Sequence, residues 1–353
     1  MEAVGLNRDF WRGRRVFVTG HTGFKGSWLI LLLKALGAKI FGFARPAPTE
    51  PAMFTLLGLE AHCAHRVGDI CDLAALEDAL REARPDIVIH MAAQPLVRAS
   101  YASPVETYAV NLMGTVNLLD ASRRLETIPA IVAVTTDKVY ENRATGKAYA
   151  EEDRLGGHDP YANSKACAEL AIDAYRASYF SQARIGLASA RAGNVIGGGD
   201  FAPDRLVPDA VRAFMQGRSL ALRNPLFVRP WQHVLEPLCG YLLLAERLHA
   251  DPDLGRGWNF GPAPEEDATV RSVVEILAEI WGDGASWRLD EGSHPREAAH
   301  LSLDSGRARA ELAWRPRFRL AEALRQTAAW YLAWRDGRDM LRFSKEQINS
   351  YLS

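Results

Sequence analysis

Residues 16–33 read VFVTGHTGFKGSWLILLL, and no other stretch restricts the fold of this chain as strongly. A short apolar run, 16–18, leads into Gly20, Gly23 and Gly26, and an apolar segment of helical length starts at the third glycine. A strand that turns sharply into a helix leaves the first N–H groups of that helix without intrahelical partners. The helix dipole adds partial positive charge there, and glycines keep Cβ atoms out of an approaching anion's way. Such a triplet means little alone and much more when it follows the first strand of a β-α-β unit. The sequence supplies that setting. Further strands are predicted over 39–43, 66–69, 86–90, 131–135 and 185–190, with helices over 26–36, 73–83, 104–125 and 161–180.

Strands alternating with helices imply parallel pairing, so the expected fold is α/β, a Rossmann-like doubly wound parallel sheet with a smaller C-terminal substrate-binding lobe. The pattern changes after Arg191, with glycines at 197–199 and prolines at 203, 208, 225 and 230. The reading is a dinucleotide-binding domain over 1–190 to which 227–260 returns. Residues 191–226 and 261–353 form the substrate lobe and tail.

Composition narrows the partners. Across 353 residues, 42 Lys plus Arg balance 43 Asp plus Glu, for a net charge of −1. No basic excess is available for nucleic acid. Cys63, Cys71, Cys167 and Cys239 are scattered, with no C-x-x-C pair, which suits a reducing compartment. The cluster His62, Cys63, His65 and Cys71 has no zinc-site spacing, so no metal is expected. The longest apolar run, 28–33, is too short to cross a bilayer and no signal segment precedes the first strand, so a cytoplasmic chain without a membrane partner is expected.

Four further features sit where a doubly wound sheet places its ligands. The second strand ends Phe43-Ala44-Arg45 without the acid that marks NAD over NADP, so the residues leave both cofactors open. Asp69, in GDI after the third strand, either meets the adenine edge or caps the helix that starts near 73. Tyr161 and Lys165 form Y-x-x-x-K, four residues apart and therefore on one helix face. A nearby ammonium favours a phenolate, which predicts a Tyr161 pKa below its ordinary 10. The alternative is a solvated helix face. Thr136, Asp137 and Lys138 follow the fifth strand. Thr136 suits a hydrogen bond to a substrate hydroxyl, Asp137 is a proton donor if its pKa is raised, and Lys138 is a base only if neutral. The alternative is a capped turn with an exposed ion pair.

The glycine loop, the T-D-K triplet and the Y-x-x-x-K pair together resemble the extended short-chain dehydrogenase/reductase superfamily, and within it the CDP-glucose 4,6-dehydratases. The matching stretches are VTGHTGFKGSWL, TTDKVYEN, GGHDPYANSKACAEL, RAGNVIGGGDFAPDRLVPD and RPWQHVLEPLCGYLLLAE, over about 10–248. Dehydratases of the dTDP-glucose type usually carry Asp-Glu where this chain has Asp137-Lys138. Arg296, in HPREA, stands where the resemblance suggests a second His. The resemblance implies NAD as cofactor, held by Gly20, His21, Thr22, Gly23, Phe24, Lys25 and Gly26 of the loop, by Asp69 and Ile70, by Ala92, Ala93 and Gln94, and by Tyr161 and Lys165.

For catalysis it implies that Tyr161 removes the proton of the sugar 4-hydroxyl, Lys138 the proton at carbon 5, and that Asp137 protonates the leaving 6-hydroxyl, with Thr136 and Lys165 assisting. Bringing a lysine from about 10.4 to near 7.5 requires about 4 kcal/mol of destabilisation of its charged form. The substrate would be CDP-glucose, with Asn194, Arg205, Arg229 and Arg296 as contacts to it. Relatives of this kind pair through the helices near 104–124 and around Tyr161, which implies a homodimer or a tetramer. Rival readings are another nucleotide-sugar dehydratase or a 4-epimerase, which needs no acid and base at 137 and 138. A non-catalytic dinucleotide sensor is more remote, since such a protein keeps the glycines and loses the triplet or the Tyr–Lys pair.

Overall fold

The computed structural model describes residues 5–125, 128–143, 146–292 and 298–353. Strands β1 (Arg15–Thr19), β2 (Lys39–Ala44), β3 (Ala64–Val67), β4 (Ile87–His90), β5 (Ala130–Val134) and β6 (Gly186–Ala192) build the sheet. Three short strands follow, β7 (Asn194–Ile196), β8 (Leu220–Leu222) and β9 (Val228–Arg229), and then β10 (Trp231–His233) and β11 (Gly257–Phe260). The seven-stranded sheet is parallel throughout, in the order β11-β6-β5-β4-β1-β2-β3. This is the expected doubly wound Rossmann-like architecture. Its order reverses between β1 and β4, which opens a crevice at the carboxyl ends of those strands.

The strands read as continuous apolar runs because both sheet faces are covered. Alternate side chains go to opposite cores. Val16, Val18, Ile87, Ile89, Val132 and Val134 face one core. Phe17, Val88, Ile131 and Ala133 face the other, with Leu76, Leu80, Leu118 and Ile172 from helices Leu73–Ala83, Gly114–Arg123 and Pro160–Tyr175. The glycine-loop helix, Phe24–Ala35, is buried from Gly26 to Leu33. A helix that is apolar all round needs cover on every side. The C-terminal helix, Met340–Leu352, packs on it, and Trp28 Nε1 donates to Gly198 O at 2.9 Å. Helix Leu235–Ala250 returns to the sheet against β5 and β6, and β11 pairs with β6.

Two predicted helices are interrupted. The helix expected over 104–125 is α-helical at Pro104–Tyr108, a π-turn at Ala109–Met113, and α-helical again from Gly114. The helix expected over 161–180 ends at Tyr175 and continues as a π-turn to Phe180. The first π-turn contains Asn111, whose side-chain Nδ2 donates to Gln94 O at 3.1 Å and to Ser164 Oγ at 2.9 Å while its Oδ1 accepts from Gln94 N at 2.9 Å. Widened turns commonly mark such inserted bridges, and no residue propensity announces them.

Candidate active site

The crevice holds a cavity of about 1130 Å³. Gly20, Thr22, Gly23, Phe24, Lys25 and Gly26 form one wall with Asp69 and Ile70, and Ala92, Ala93 and Gln94 close it beside β4. Thr136, Asp137, Lys138, Tyr161 and Lys165 lie on the floor, and Asn194, Arg205 and Arg229 complete the lining. His21 does not line it. Its ring is buried under the loop, with Nε2 2.7 Å from His65 Nδ1, in space that a Cβ at Gly42 would overlap. Arg296 lies outside the described residues.

The loop's glycines differ in their reasons. Gly20 has φ +73°, and a Cβ there would come within 2.7 Å of Ala92 N. A Cβ at Gly26 would sit 2.4 Å from Gly20 O. Gly23 has φ −78°, and a Cβ there would meet only Gly20 O, at 3.5 Å. Folding does not require glycine at 23, and its bare face opens into the cavity beside the helix N-terminus. A loop of this shape fits a dinucleotide pyrophosphate. Half-buried Lys25, with no hydrogen-bond or ion-pair partner among the described residues, adds a cation to that wall, and burial and the charges of Arg205 and Lys165 push its pKa down to about 8.

The loop after β4 is set by a buried relay. Thr115 Oγ1 donates to Asn111 O at 2.7 Å, so His90 Nε2 is the donor in its 3.1 Å contact with Thr115, and His90 Nδ1 accepts from Thr19 Oγ1 at 2.7 Å. Thr19 Oγ1 in turn accepts from Met91 N and Ala92 N, both at 3.1 Å. This arrangement holds His90 neutral, and burial pushes its pKa down to about 3. Asp69 is free of the helix-capping role, because Asp72 caps helix Leu73–Ala83 by accepting from Ala75 N. Asp69 instead takes the Cys71 N–H at 2.9 Å, at the cavity edge. Arg45, at the end of β2, is exposed and pairs with Glu106 at 3.3 Å.

The triplet is not an exposed ion pair. Asp137 is 2% exposed, accepts from Thr136 Oγ1 at 3.0 Å, and its Oδ2 is buried without a partner among the described residues. Burial raises its pKa, opposed by the Lys138 charge, the Thr136 hydrogen bond and the more distant Arg229 and Lys25. Burial thus sets a carboxyl whose pKa is raised next to the half-buried Lys138 side chain, in the cavity that also holds Tyr161.

Tyr161 and Lys165 are 9% and 4% exposed, so the pair is no solvated helix face. The expected depression of the Tyr161 pKa is not what the geometry produces. Burial pushes it up to about 12, and Asp137 adds to the rise. The Thr136 hydrogen bond and the Arg205 charge oppose it. Lys165 Nζ donates to Val134 O at 3.2 Å, and burial lowers its pKa to about 8 against the pull of Glu169.

At the end of β9, Arg229 is 5% exposed, and its Nη1 donates to Val228 O at 2.8 Å. Its guanidinium stands 5.3 Å from the Phe227 ring centre. Arg205 pairs with Asp200 at 2.8 Å. Asp200 escaped the sequence reading, and so did the buried Glu169–Arg191 pair behind the triplet, at 2.7 Å. Glu169 continues the four-residue spacing of Tyr161 and Lys165, the one signal that could have revealed it. Among the described residues, no cluster of His, Cys, Asp and Glu has metal-binding geometry.

Comparison with known proteins agrees with this geometry. The chain is 49% identical over 354 residues, 99% of both proteins, to the CDP-glucose 4,6-dehydratase of Salmonella typhimurium. It is 32% identical to a dTDP-glucose 4,6-dehydratase of Actinoplanes, over 90% of this chain and 98% of that one. Among solved structures, a dTDP-glucose 4,6-dehydratase from Streptomyces venezuelae with NAD bound superposes with a TM-score of 0.78 at 26% identity, covering 93% of this chain and 99% of the other. The GDP-mannose 4,6 dehydratase family model matches residues 17–327. A parallel sheet with its glycine loop at the switch point, a buried acid beside a lysine and an internal Tyr–Lys pair are thus found in a chain that belongs to the GDP-mannose 4,6-dehydratase family.

Proposed function

We propose that this chain is a hydro-lyase that converts CDP-D-glucose to CDP-4-keto-6-deoxy-D-glucose and water. The observation that carries the reading is Asp137, buried, raised in pKa and with an unpartnered Oδ2, beside Lys138 in the same cavity as Tyr161 and Lys165. An epimerase needs no such acid and base, and 49% identity across the length of a CDP-glucose 4,6-dehydratase supports the nucleotide. NAD would lie along Gly20–Gly26 and Asp69, with Lys165 at its ribose. When bound, it supplies reversible hydride transfer and a cationic oxidised ring.

The protein's own residues handle the protons. Once the Lys165 ammonium and the cation of bound NAD offset the burial that raises its pKa, Tyr161 Oη takes the proton of the sugar 4-hydroxyl, with Thr136 holding that hydroxyl. The ketone at carbon 4 then acidifies carbon 5, whose proton passes to Lys138 Nζ. Asp137 gives its proton to the 6-hydroxyl, which leaves as water. Asn194, Arg205 and Arg229 hold the diphosphate, where a planar guanidinium fits two phosphate oxygens. With lobes of 1–190 plus 227–260 and of 191–226 plus 261–353, the cofactor would lie on the first and the sugar nucleotide between the two, since Arg229 belongs to the first. A cytoplasmic site of action fits four cysteines without a disulfide.

A homodimer through the helices near 104–124 and 160–180 is supported by exposed Val105, 82%, with Met113, Leu170 and Tyr179 on those segments. Light scattering on the purified protein reads the dimer directly. The function is tested by incubation with CDP-, dTDP-, UDP- and GDP-activated sugars, following the absorbance of the 4-keto product in base. Turnover of dTDP-glucose in place of CDP-glucose would overturn the assignment of substrate. Epimerised product without loss of water would overturn the reaction.

A further inference from the structure

Glu169 and Arg191 are buried at 0% and 4% exposure, and neither touches the cavity. Glu169 lies one turn beyond Lys165 and two beyond Tyr161. Its carboxylate is saturated. Oε1 accepts from Thr135 Oγ1 at 2.5 Å and Arg191 Nε at 2.9 Å, and Oε2 accepts from Ser189 Oγ and Arg191 Nη2, both at 2.7 Å. Arg191 Nη1 donates onward to Tyr140 Oη at 2.9 Å and Glu151 O at 3.1 Å. Tyr140 Oη donates to Asn259 Oδ1 at 2.7 Å. A Cβ at Gly257 would stand 2.6 Å from Arg191 Nη2, so a bare backbone admits the guanidinium.

Thr135 immediately precedes the triplet, and Tyr140 follows it by two residues. The short helical turn Asp137–Val139 therefore hangs between two side chains tied to one ion pair. A buried ion pair rarely strengthens a fold beyond what apolar replacements would give, because desolvation offsets the attraction. Its value lies in fixed geometry, and catalytic groups need their positions held to about half an ångström.

We propose that Glu169 and Arg191 are positioning residues that clamp both ends of the Thr136–Lys138 turn through Thr135 and Tyr140. The inference rests on the dehydratase reading for its effect on turnover and on the geometry alone for its effect on the turn. Glu169 also faces Lys165. The groups around that ammonium are Glu169 and Tyr161 on its own helix, Lys25 from the glycine-loop helix and His90 from β4. Of these only Glu169 is an anion, and it raises the Lys165 pKa against burial.

The test uses Thr135→Val and Tyr140→Phe, which cut the two ties and leave the ion pair in place, with Glu169→Gln as the charge-removing variant. In the full-length enzyme with NAD, each of the first two should lower kcat about tenfold, with KM for CDP-glucose within about twofold, since misplacement by a fraction of an ångström acts on the chemical step. Amide exchange over residues 136–140 should rise about tenfold in both. Glu169→Gln removes an anion beside an ammonium, so the activity that needs charged Lys165 should be lost at lower pH, with the alkaline limb of kcat moved down by about one unit. A merely structural role would lower the amplitude without moving the limb. Unchanged amide exchange in both Thr135→Val and Tyr140→Phe would overturn the clamp, whatever the wild type turns over. Wild type without 4-keto product, but with raised exchange in the variants, would overturn the dehydratase reading and sustain the clamp.

Discussion

Gly23 and Gly26 are three residues apart, and alanine at each should fail in a different way. At Gly26 a methyl group would lie 2.4 Å from Gly20 O and 2.5 Å from His21 Cα. Both are backbone atoms, so the loop must retreat by about 1 Å to reach ordinary contact. Overpacking of this kind costs about 3 kcal/mol. The better helix propensity of alanine returns at most about 1 kcal/mol. At an unfolding entropy near 2.1 cal/mol/K per residue, a net loss of about 2 kcal/mol in a chain of this length lowers Tm by roughly 3 °C. At Gly23 the methyl would meet only Gly20 O, at an unstrained 3.5 Å and with φ at −78°. The residual cost is that of alanine in place of glycine at an N-cap, at most about 1 kcal/mol. The methyl would instead project from the glycine-loop wall into the cavity where the pyrophosphate approaches. Gly23→Ala should therefore unfold within about 2 °C of wild type and bind NAD at least about tenfold more weakly, a change of about 1.4 kcal/mol. Thermal melts with and without NAD, together with a calorimetric NAD titration, measure both quantities. Gly23→Ala that binds NAD within twofold of wild type would refute the placement of the cofactor on this loop. Gly26→Ala that melts with wild type would refute the steric argument.

Asp137→Asn should lower kcat about 10²- to 10⁴-fold, the usual worth of a positioned general acid. Because burial raises the Asp137 pKa, wild-type activity should fall as pH rises through it, and the pH–kcat profile of Asp137→Asn should lack that limb. Lys138→Ala should abolish exchange of the carbon 5 hydrogen with deuterated solvent; dehydration near the wild-type rate would remove Lys138 as the base. Buried His21, His90 and His233 are held down to about 4, 3 and 3 from an ordinary 6.5. The unfolded chain binds these protons first, so the stability they contribute is complete above pH 6.5 and lost as pH falls toward 4, by up to about 4 kcal/mol per pH unit. A melting temperature that stays flat from pH 7 to pH 5 would contradict this.

Much of the fold was written in local pattern. The six strands predicted from 16 to 190 are β1 to β6, because strands covered on both faces must be apolar throughout and short apolar runs between helical segments have few other uses. The glycine spacing, the triplet and the Tyr–Lys pair were equally visible, since helical periodicity and strand ends are local properties. The π-turn at Ala109–Met113 was not visible, because it serves a bridge between Gln94 and Ser164 that are distant in sequence.

Charge states lay beyond the sequence for a related reason. Y-x-x-x-K suggested a phenol lowered by its lysine, and burial instead pushes Tyr161 up to about 12 while Lys165 reaches for Val134 O. The cap near 73 could have been Asp69, and the fold gave that task to Asp72. Net charge followed the same division. A balance of −1 excluded a polyanion-binding surface and left open where local charge sits. The chain's order of residues determined which elements form and which side chains share a helix face, because those follow from periods of 2 and 3.6 residues. Tertiary structure alone decided that Lys25, Arg205 and Arg229 converge on one cavity, that Asp137 is cut off from water, and that Glu169 meets Arg191 across 22 residues. Desolvation and ion pairing depend on what surrounds a group in space, and no local pattern carries that information.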